Sequence, residues 1–338
     1  MTSDHGTVLY DAPGPRTRRI TTIVSVVVGI VLVFVGYWFV YRPLAENGEF
    51  TMEKWGPLID PNDENMPIVW RRLGEGLRAT LLAAAFAIVA SLLFGTFLAV
   101  LRVQLTHLRA RRFTGLATPL AWLARGLSWV LTAISRLFVE VFRGAPVVIT
   151  IFFVWRVLPE FGLRPPDVSL PGLPMPSEMW SLAIGLTLYN GVVIGEILRS
   201  GMQGLPRGQT EAAYAIGLTT MQTTTRILLP QSYRIMLPAL ISQLVVVLKD
   251  TALGFIITYQ ELMRTARLIA DRLDNPLQMF AVAGAIFIVL NYALSKLAGY
   301  AERRVARGRR TAAPPVAMTQ EPGETMGAMP AVDQAGTR

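Results

Sequence analysis

Charge-free apolar runs recur along the chain at lengths that match a lipid bilayer. A hydrocarbon core of about 30 Å needs roughly 20 apolar residues in a helix. Ile20–Tyr41 supplies 22 residues without a charge and Ala79–Leu101 supplies 23. Ala145–Trp155 is clean but short, and reaches span length only with Leu137–Phe142 or Arg156–Leu158 added. Trp180–Gly195 becomes a span at about 179–198. Leu237–Leu248 and Gly254–Tyr259 form one segment interrupted by Lys249 and Asp250, and Met279–Leu294 extends to about Tyr300. The pattern predicts an all-α, polytopic membrane protein with six transmembrane helices. Ile20–Tyr41 follows Arg16, Arg18 and Arg19, as a signal peptide would. Its apolar core is too long for one and no small-residue cleavage site follows it, so it is expected to remain as an extra N-terminal helix.

Charge between the runs fixes the orientation. Residues 42–75 hold four basic and seven acidic residues, whereas 102–136 hold six arginines and no acid. The segment 159–178 sets Arg164 against Glu160, Asp167 and Glu178, and the tail opens with Arg303, Arg304, Arg307, Arg309 and Arg310. Positive loops stay in the cytoplasm. Both termini are then expected inside the plasma membrane, with 42–75, 159–178 and about 260–277 outside. Residues 1–19 and 305–338 show no apolar period and are expected to be disordered. The transmembrane domain is expected over 76–304, preceded by the extra helix at 20–41 and the outer loop at 42–75. Residues 106–135 mix Trp122 and Trp129 with Arg109, Arg111, Arg112 and Arg125. That composition predicts an amphipathic helix on the cytoplasmic headgroup layer; a seventh span there would break the charge pattern.

Composition narrows the function. Hydrophobic residues make up 52% and charged residues 16%, against about 25% charge in soluble domains, which argues against an ordinary soluble enzyme. Net charge is +9, but the arginines sit beside apolar runs, so they read as membrane topology rather than a nucleic-acid surface. The chain has no cysteine and only His5 and His107. This excludes a disulfide scaffold, a Cys-zinc site, an iron–sulfur cluster and a Cys nucleophile, and no metal or other cofactor is expected.

The segment 199–236 has the pattern of helix, turn, helix. Pro206 marks the start of the first helix, and Glu211 in its early turns favours the positive end of the dipole. Gly217 is suited to the left-handed conformation that ends a helix. Thr219 or Thr220 is placed to cap the next, and Pro230 limits its far end. Small side chains at Ala212, Ala213 and Ala215 allow another protein to approach closely. So ordered a cytoplasmic segment reads as a docking element. Glu211-Ala212-Ala213, Gly217, Ile227 and Leu229-Pro230 resemble, in identity and spacing, the EAA loop of ABC-importer permeases. Phe142-Arg143-Gly144-Ala145-Pro146, Glu196-Ile197-Leu198-Arg199-Ser200-Gly201 and Leu229-Pro230-Gln231, running on to Leu248-Lys249-Asp250-Thr251, resemble the polar amino-acid branch of that family.

The resemblance covers about residues 70–304 and implies a type I importer fold. It implies that 199–236 inserts into a cleft on a cytoplasmic ATPase dimer and passes on its movement. It also implies a second permease subunit, more readily a different chain than a copy, and an extracytoplasmic amino-acid-binding protein. Gly144 and Pro146 would lie at the elbow entering the third span. The extra helix and long outer loop resemble the larger permease of actinobacterial glutamate uptake systems, which implies glutamate as substrate. Arg143 and Arg199 at cytoplasmic ends are explained equally by topology. Charges inside a span are functional candidates, so Lys249 is expected either to line the translocation path, with Asp250 balancing its charge across the subunit interface, or to neutralise an acid on the second permease. Asn190, in an apolar helix, suits interhelical hydrogen bonding or the path. No Gly-x-x-x-x-Gly-Lys-Ser/Thr phosphate loop occurs, so ATP hydrolysis is expected on a partner. An ion-driven carrier would often show inverted repeats, which the sequence lacks. A membrane enzyme would need more intramembrane chemistry than Lys249, Asp250 and Glu196 provide.

Overall fold

The computed structural model of the chain describes residues 14–110, 118–165, 167–170 and 173–310. It is helical almost throughout. Helix α1 (Pro15–Val35) continues through a π-turn (Gly36–Tyr41) into α2 (Arg42–Glu46), and α3 (Met52–Ile59) follows. Then come α4 (Met66–Ala110), α5 (Thr118–Gly144) and α6 (Val147–Phe152), the last continuing as π and 3-10 turns to Phe161. A hairpin of β1 (Val168–Leu170) and β2 (Leu173–Met175) pairs Val168 with Met175. Helices α7 (Ser177–Gln203), α8 (Arg207–Ala215), α9 (Thr220–Thr223) and α10 (Leu229–Ile235) lead to α11 (Leu237–Asp250), which tightens into a 3-10 turn over Thr251–Ile257. Helices α12 (Leu262–Leu273) and α13 (Pro276–Arg310) complete the fold.

Among the described residues five helical segments are long and apolar enough to cross a bilayer. A sixth span exists if α5 and the α6 segment, bent by 111°, count as one broken pair. This agrees with the expected fold, in which the third span reaches its length only when a neighbouring segment is added. Other boundaries also move. The first helix begins at Pro15, ahead of the apolar run, and the last continues to Arg310. Much of the expected outer loop is helical, because α4 starts at Met66 and at 45 residues is about 68 Å long. Residues 106–110 complete α4 and 118–135 lie in α5; Arg111 and Arg112 lie outside the described residues, as do 1–13 and 311–338.

Helices α4 and α7 form the seam of the molecule. Ala83, Ala87, Ser91, Gly95 and Ala99 recur every fourth residue on α4 and are all buried, so they share one face. They meet Gly191 and Gly195 on α7. A β-carbon on Gly95 would lie 2.7 Å from the Gly191 carbonyl oxygen, and one on Gly195 would lie 3.0 Å from the Gly95 carbonyl oxygen. Only glycine lets the two backbones approach so closely, and such packing is a main source of helix association in lipid.

The end of the bundle opposite α8 is held by its own core. Leu58, Val69, Leu73, Leu262, Ala266 and Met279 pack together with Trp55 at their edge. Buried Gln278 donates its amide to the Glu49 carbonyl at 2.6 Å, buried Asn275 donates to the Lys54 carbonyl at 3.1 Å, and Trp70 donates to the Leu58 carbonyl at 3.1 Å. The segment 47–59 is thereby folded onto the starts of α13 and α4.

Candidate functional site: the α8 to α10 face and the interhelical path

Helix α8 begins after Pro206, whose fixed φ suits a helix start. It ends at Ala215, and Gly217 just beyond it takes φ +80°. The Leu218 amide donates to the Ala213 carbonyl at 3.1 Å and the Gly217 amide to the Tyr214 carbonyl at 3.0 Å. This paired closure satisfies two terminal carbonyls and requires the left-handed residue. Of the two candidate caps, Thr219 serves: its hydroxyl accepts the Gln222 amide at 3.3 Å, while the Gln222 side chain accepts the Thr219 amide at 2.9 Å. Glu211 lies in the second turn of α8, not the first. Pro230 does not end a helix. The chain passes through a π-turn over Thr224–Leu228, and Pro230 opens α10, where its missing N–H breaks no bond.

The motif residues divide by exposure. Glu211, Ala212, Tyr214 and Ile216 face out, with Ile216 77% exposed, while Ala213 is buried. Ile227 and Leu229 pack against a buried cluster of Ala99, Val103, Ile194, Leu198 and Met202 on α4 and α7, and Pro230 is exposed. Polar bonds reinforce that attachment. Gln104 donates to the Thr224 hydroxyl at 3.0 Å, the Ser232 hydroxyl donates to the Leu198 carbonyl at 2.7 Å, and the Thr96 and Tyr233 hydroxyls bond each other. The result is a rigidly tied segment that presents an exposed apolar and acidic surface.

Just above it, Glu196 binds two arginines. Arg199, one turn on, reaches it at 2.9 Å, and Arg102 of α4 pairs with its other oxygen. All three are only partly exposed. Sequence reasoning missed Arg102. Its signal was position: it is the first charge after the Ala79–Leu101 run, and Glu196 is the first after the Trp180–Gly195 run. Arg143, Gly144 and Pro146 are exposed at the 111° bend between α5 and α6. A β-carbon on Gly144 would meet open space, so the bend owes more to Pro146, which disfavours helix at Ala145.

In the interhelical path, Asn190 is fully buried and accepts from Gln243 of α11 at 2.7 Å while donating to the Leu186 carbonyl at 3.1 Å. It also reaches the half-buried carboxylate of Asp250. Lys249 is exposed and, among the described residues, forms no ion pair. Asn190 therefore meets Asp250 rather than the lysine beside it, because adjacent residues point about 100° apart around a helix. Farther out, Glu261 is fully buried and caps α12, accepting the Met263 amide at 2.8 Å and the Arg264 amide at 2.7 Å. Burial pushes its carboxyl up to about 7 against the pull of those amides and Thr80.

Five apolar spans, or six with the bent pair, two of them joined along a small-residue seam, and an ordered helical segment at one end are the features of a multi-pass membrane protein. Residues 117–307 match the family described as the binding-protein-dependent transport system inner membrane component, and the chain belongs to that family. It is 36% identical over 266 residues to the glutamate transport system permease protein GluD of Corynebacterium glutamicum, covering 79% of this chain and 85% of that one. It is 31% identical to the glutamate/aspartate import permease protein GltK of Escherichia coli O6:H1, covering 69% of this chain and 92% of that one. A crystal structure of an amino acid ABC transporter with histidines superposes with a TM-score of 0.54 at 23% identity, covering 71% of this chain and 96% of that one; that likeness supports the fold. The resemblance to the polar amino-acid branch of ABC-importer permeases, and the all-α polytopic fold it implied, are both borne out. Such a permease works with an ATPase and a substrate-binding protein.

Proposed function

We propose that this chain is the permease half of a glutamate importer, with both termini and residues 199–236 at the cytoplasmic face and a different permease chain completing the path. The observation that carries the coupling role is the exposed surface of α8, with Glu211, Ala212, Tyr214 and Ile216 outward on a segment bonded to α4 and α7. A push on α8 reaches the spans through Ile227, Leu229, Ser232 and Gln104. Lys249 and Asp250 border the path beside Asn190, at the point where α11 tightens into its 3-10 turn. Glutamate is supported by what GluD and GltK are named for.

Gly217→Val tests the coupling. A β-branched residue held at positive φ costs about 1–3 kcal/mol, enough to unseat the closure of α8 while the spans stay folded. Membrane-vesicle uptake of labelled glutamate should fall at least about tenfold, with normal subunit levels in the membrane. Glu211→Lys, which reverses a charge on the exposed face, should do the same without strain. Normal uptake in both would show that this segment does not couple. Competition by unlabelled amino acids identifies the substrate: glutamate should compete best, and an equally strong neutral amino acid would reject that assignment.

A further inference from the structure

A cavity of about 940 Å³ lies between the outer extension of α4 and α12, reaching the start of α7 at Pro176 and Glu178. Its sides carry Ile68, Val69, Leu268 and Ile269, and its charged groups are Arg72, Glu75, Glu178, Arg264 and Arg272. The floor is closed. At Gly76 a β-carbon would lie 2.7 Å from the Thr265 hydroxyl and 3.1 Å from Leu262 Cα, so the two helices touch there. The Thr80 hydroxyl accepts the Leu262 amide at 3.0 Å, and the Tyr259 hydroxyl donates to the Ala79 carbonyl at 3.0 Å.

Two of the three arginines in this cleft have no ion pair among the described residues. Arg72 has a loose ion pair with Glu75 at 3.5 Å. Among the described residues, Arg264 and Arg272 have no carboxylate within 4.0 Å. The nearby carboxylate of Glu261 is committed to two backbone amides. Topology does not explain these residues either. Outer segments are depleted of arginine by the positive-inside rule, yet this helix pair holds Arg71, Arg72, Arg264, Arg267 and Arg272.

We propose that this cleft is an anion-binding antechamber that receives the carboxylates of the transported amino dicarboxylate at the outer face, with Arg264 and Arg272 as its ligands. The proposal rests on the reading of the chain as an importer with α12 outside. Three guanidinium and two carboxylate groups leave the cleft one positive charge, and an amino dicarboxylate carries two carboxylates, one ammonium and one negative charge. Guanidinium forks match carboxylates in geometry, and Glu75 and Glu178 are available to the ammonium. The volume lies within the range of small-molecule sites and leaves room for hydration water. A shallow, hydrated site of this kind captures substrate briefly as the binding protein opens; with the floor closed, passage inward requires α4 and α12 to part at Gly76.

The test uses the whole importer in proteoliposomes with its binding protein. Arg264→Gln and Arg272→Gln, singly and together, are compared with wild type for glutamate uptake, for the binding-protein concentration that half-saturates uptake, and for stimulated ATP hydrolysis. The double variant should lose at least about tenfold in uptake, the scale expected for a charged hydrogen bond. Its half-saturating concentration and ATP hydrolysis should stay at wild-type values, and Arg→Lys at both positions should recover part of the uptake. Unchanged uptake overturns the proposal. So does a loss accompanied by a higher half-saturating concentration, which makes the cleft a docking surface for the binding protein. Two controls isolate the underlying reading: Asn62→Cys should label from outside, and wild type should import glutamate. Failure of either rejects that reading, whereas the variants compared with an active wild type test the cleft.

Discussion

Helices α1 and α7 are both long enough to cross a bilayer, and α1 is the more apolar of the two. Yet α1 buries none of its residues, whereas α7 buries fourteen, among them Gly185, Asn190, Gly191, Gly195 and Gly201. In water the greasier helix would be the better buried. In lipid the acyl chains are as apolar as a leucine side chain, so greasiness gives no reason to leave them. What a protein interior offers instead is close backbone contact and hydrogen-bond partners. Small and polar residues therefore mark the inner helix, and a surface of Val, Ile and Phe marks the outer one.

The comparison breaks most severely at the α4–α7 crossing. Gly95→Leu places a branched side chain where even a β-carbon would lie 2.7 Å from the opposing backbone. Backbone cannot move aside as a side chain can, so the cost should exceed the usual overpacking penalty of about 1–3 kcal/mol. Membrane-extracted protein should show little folded material by fluorescence-detected size exclusion. Gly191→Leu, aimed at the Phe94 ring, should be milder because a ring can rotate. A Gly95→Leu variant with wild-type yield and melting point would mean that α4 and α7 do not cross in this way.

A smaller effect is expected at the polar knot one level down. Removing Arg102 leaves Glu196 with Arg199, so Arg102→Gln should cost less than Glu196→Gln, which leaves two partly buried arginines facing each other. About 1–3 kcal/mol is the expected scale for a charged hydrogen bond in such a site, toward the lower end because the groups keep some solvent. A double-mutant cycle on thermal stability measures the coupling. If the two losses simply add, the ion pair contributes nothing to the packing of α4 on α7.

Much of this was legible in the chain, for reasons the comparison makes plain. Charge-free runs locate spans because unpaired charge is costly in lipid, and Gly217 is readable because its backbone requirement is local. The positions that failed depend on contacts between distant residues. Pro230 was assigned to a helix end because the π-turn before it, which frees its missing N–H, leaves no mark in a sequence pattern. The partner of Glu196 was overlooked because Arg102 lies 94 positions away. Asn190 is legible as a polar residue in an apolar helix, but its partner Gln243 depends on how α7 and α11 are rotated against each other. The core around Trp55 was hidden for a further reason: Trp55, Leu58 and Leu73 sit in a stretch whose seven acids made it read as a solvated loop.

The comparison is sharpened most finely by removing α1. Deleting residues 2–41 takes away a helix with no buried residue, together with the stacking of Tyr41 on Phe50 at 5.6 Å. An aromatic pair contributes about 0.5–1.5 kcal/mol beyond its buried area, and here both rings are exposed, so the lower figure applies. The remaining chain keeps the seam, the outer core and the knot intact. The melting point of the isolated subunit in detergent should therefore shift by only about 1–2 °C, with Val27→Ala in the full chain indistinguishable from wild type. A large drop would mean that α1 packs on the bundle. The same deletion in the assembled importer then separates lipid from protein as the neighbour of α1. If α1 faces lipid, the complex melts with the small shift of the subunit. If it lies against the second permease or another subunit, the complex loses stability that the isolated subunit does not, and the apolar surface of α1 is an interface that only assembly buries.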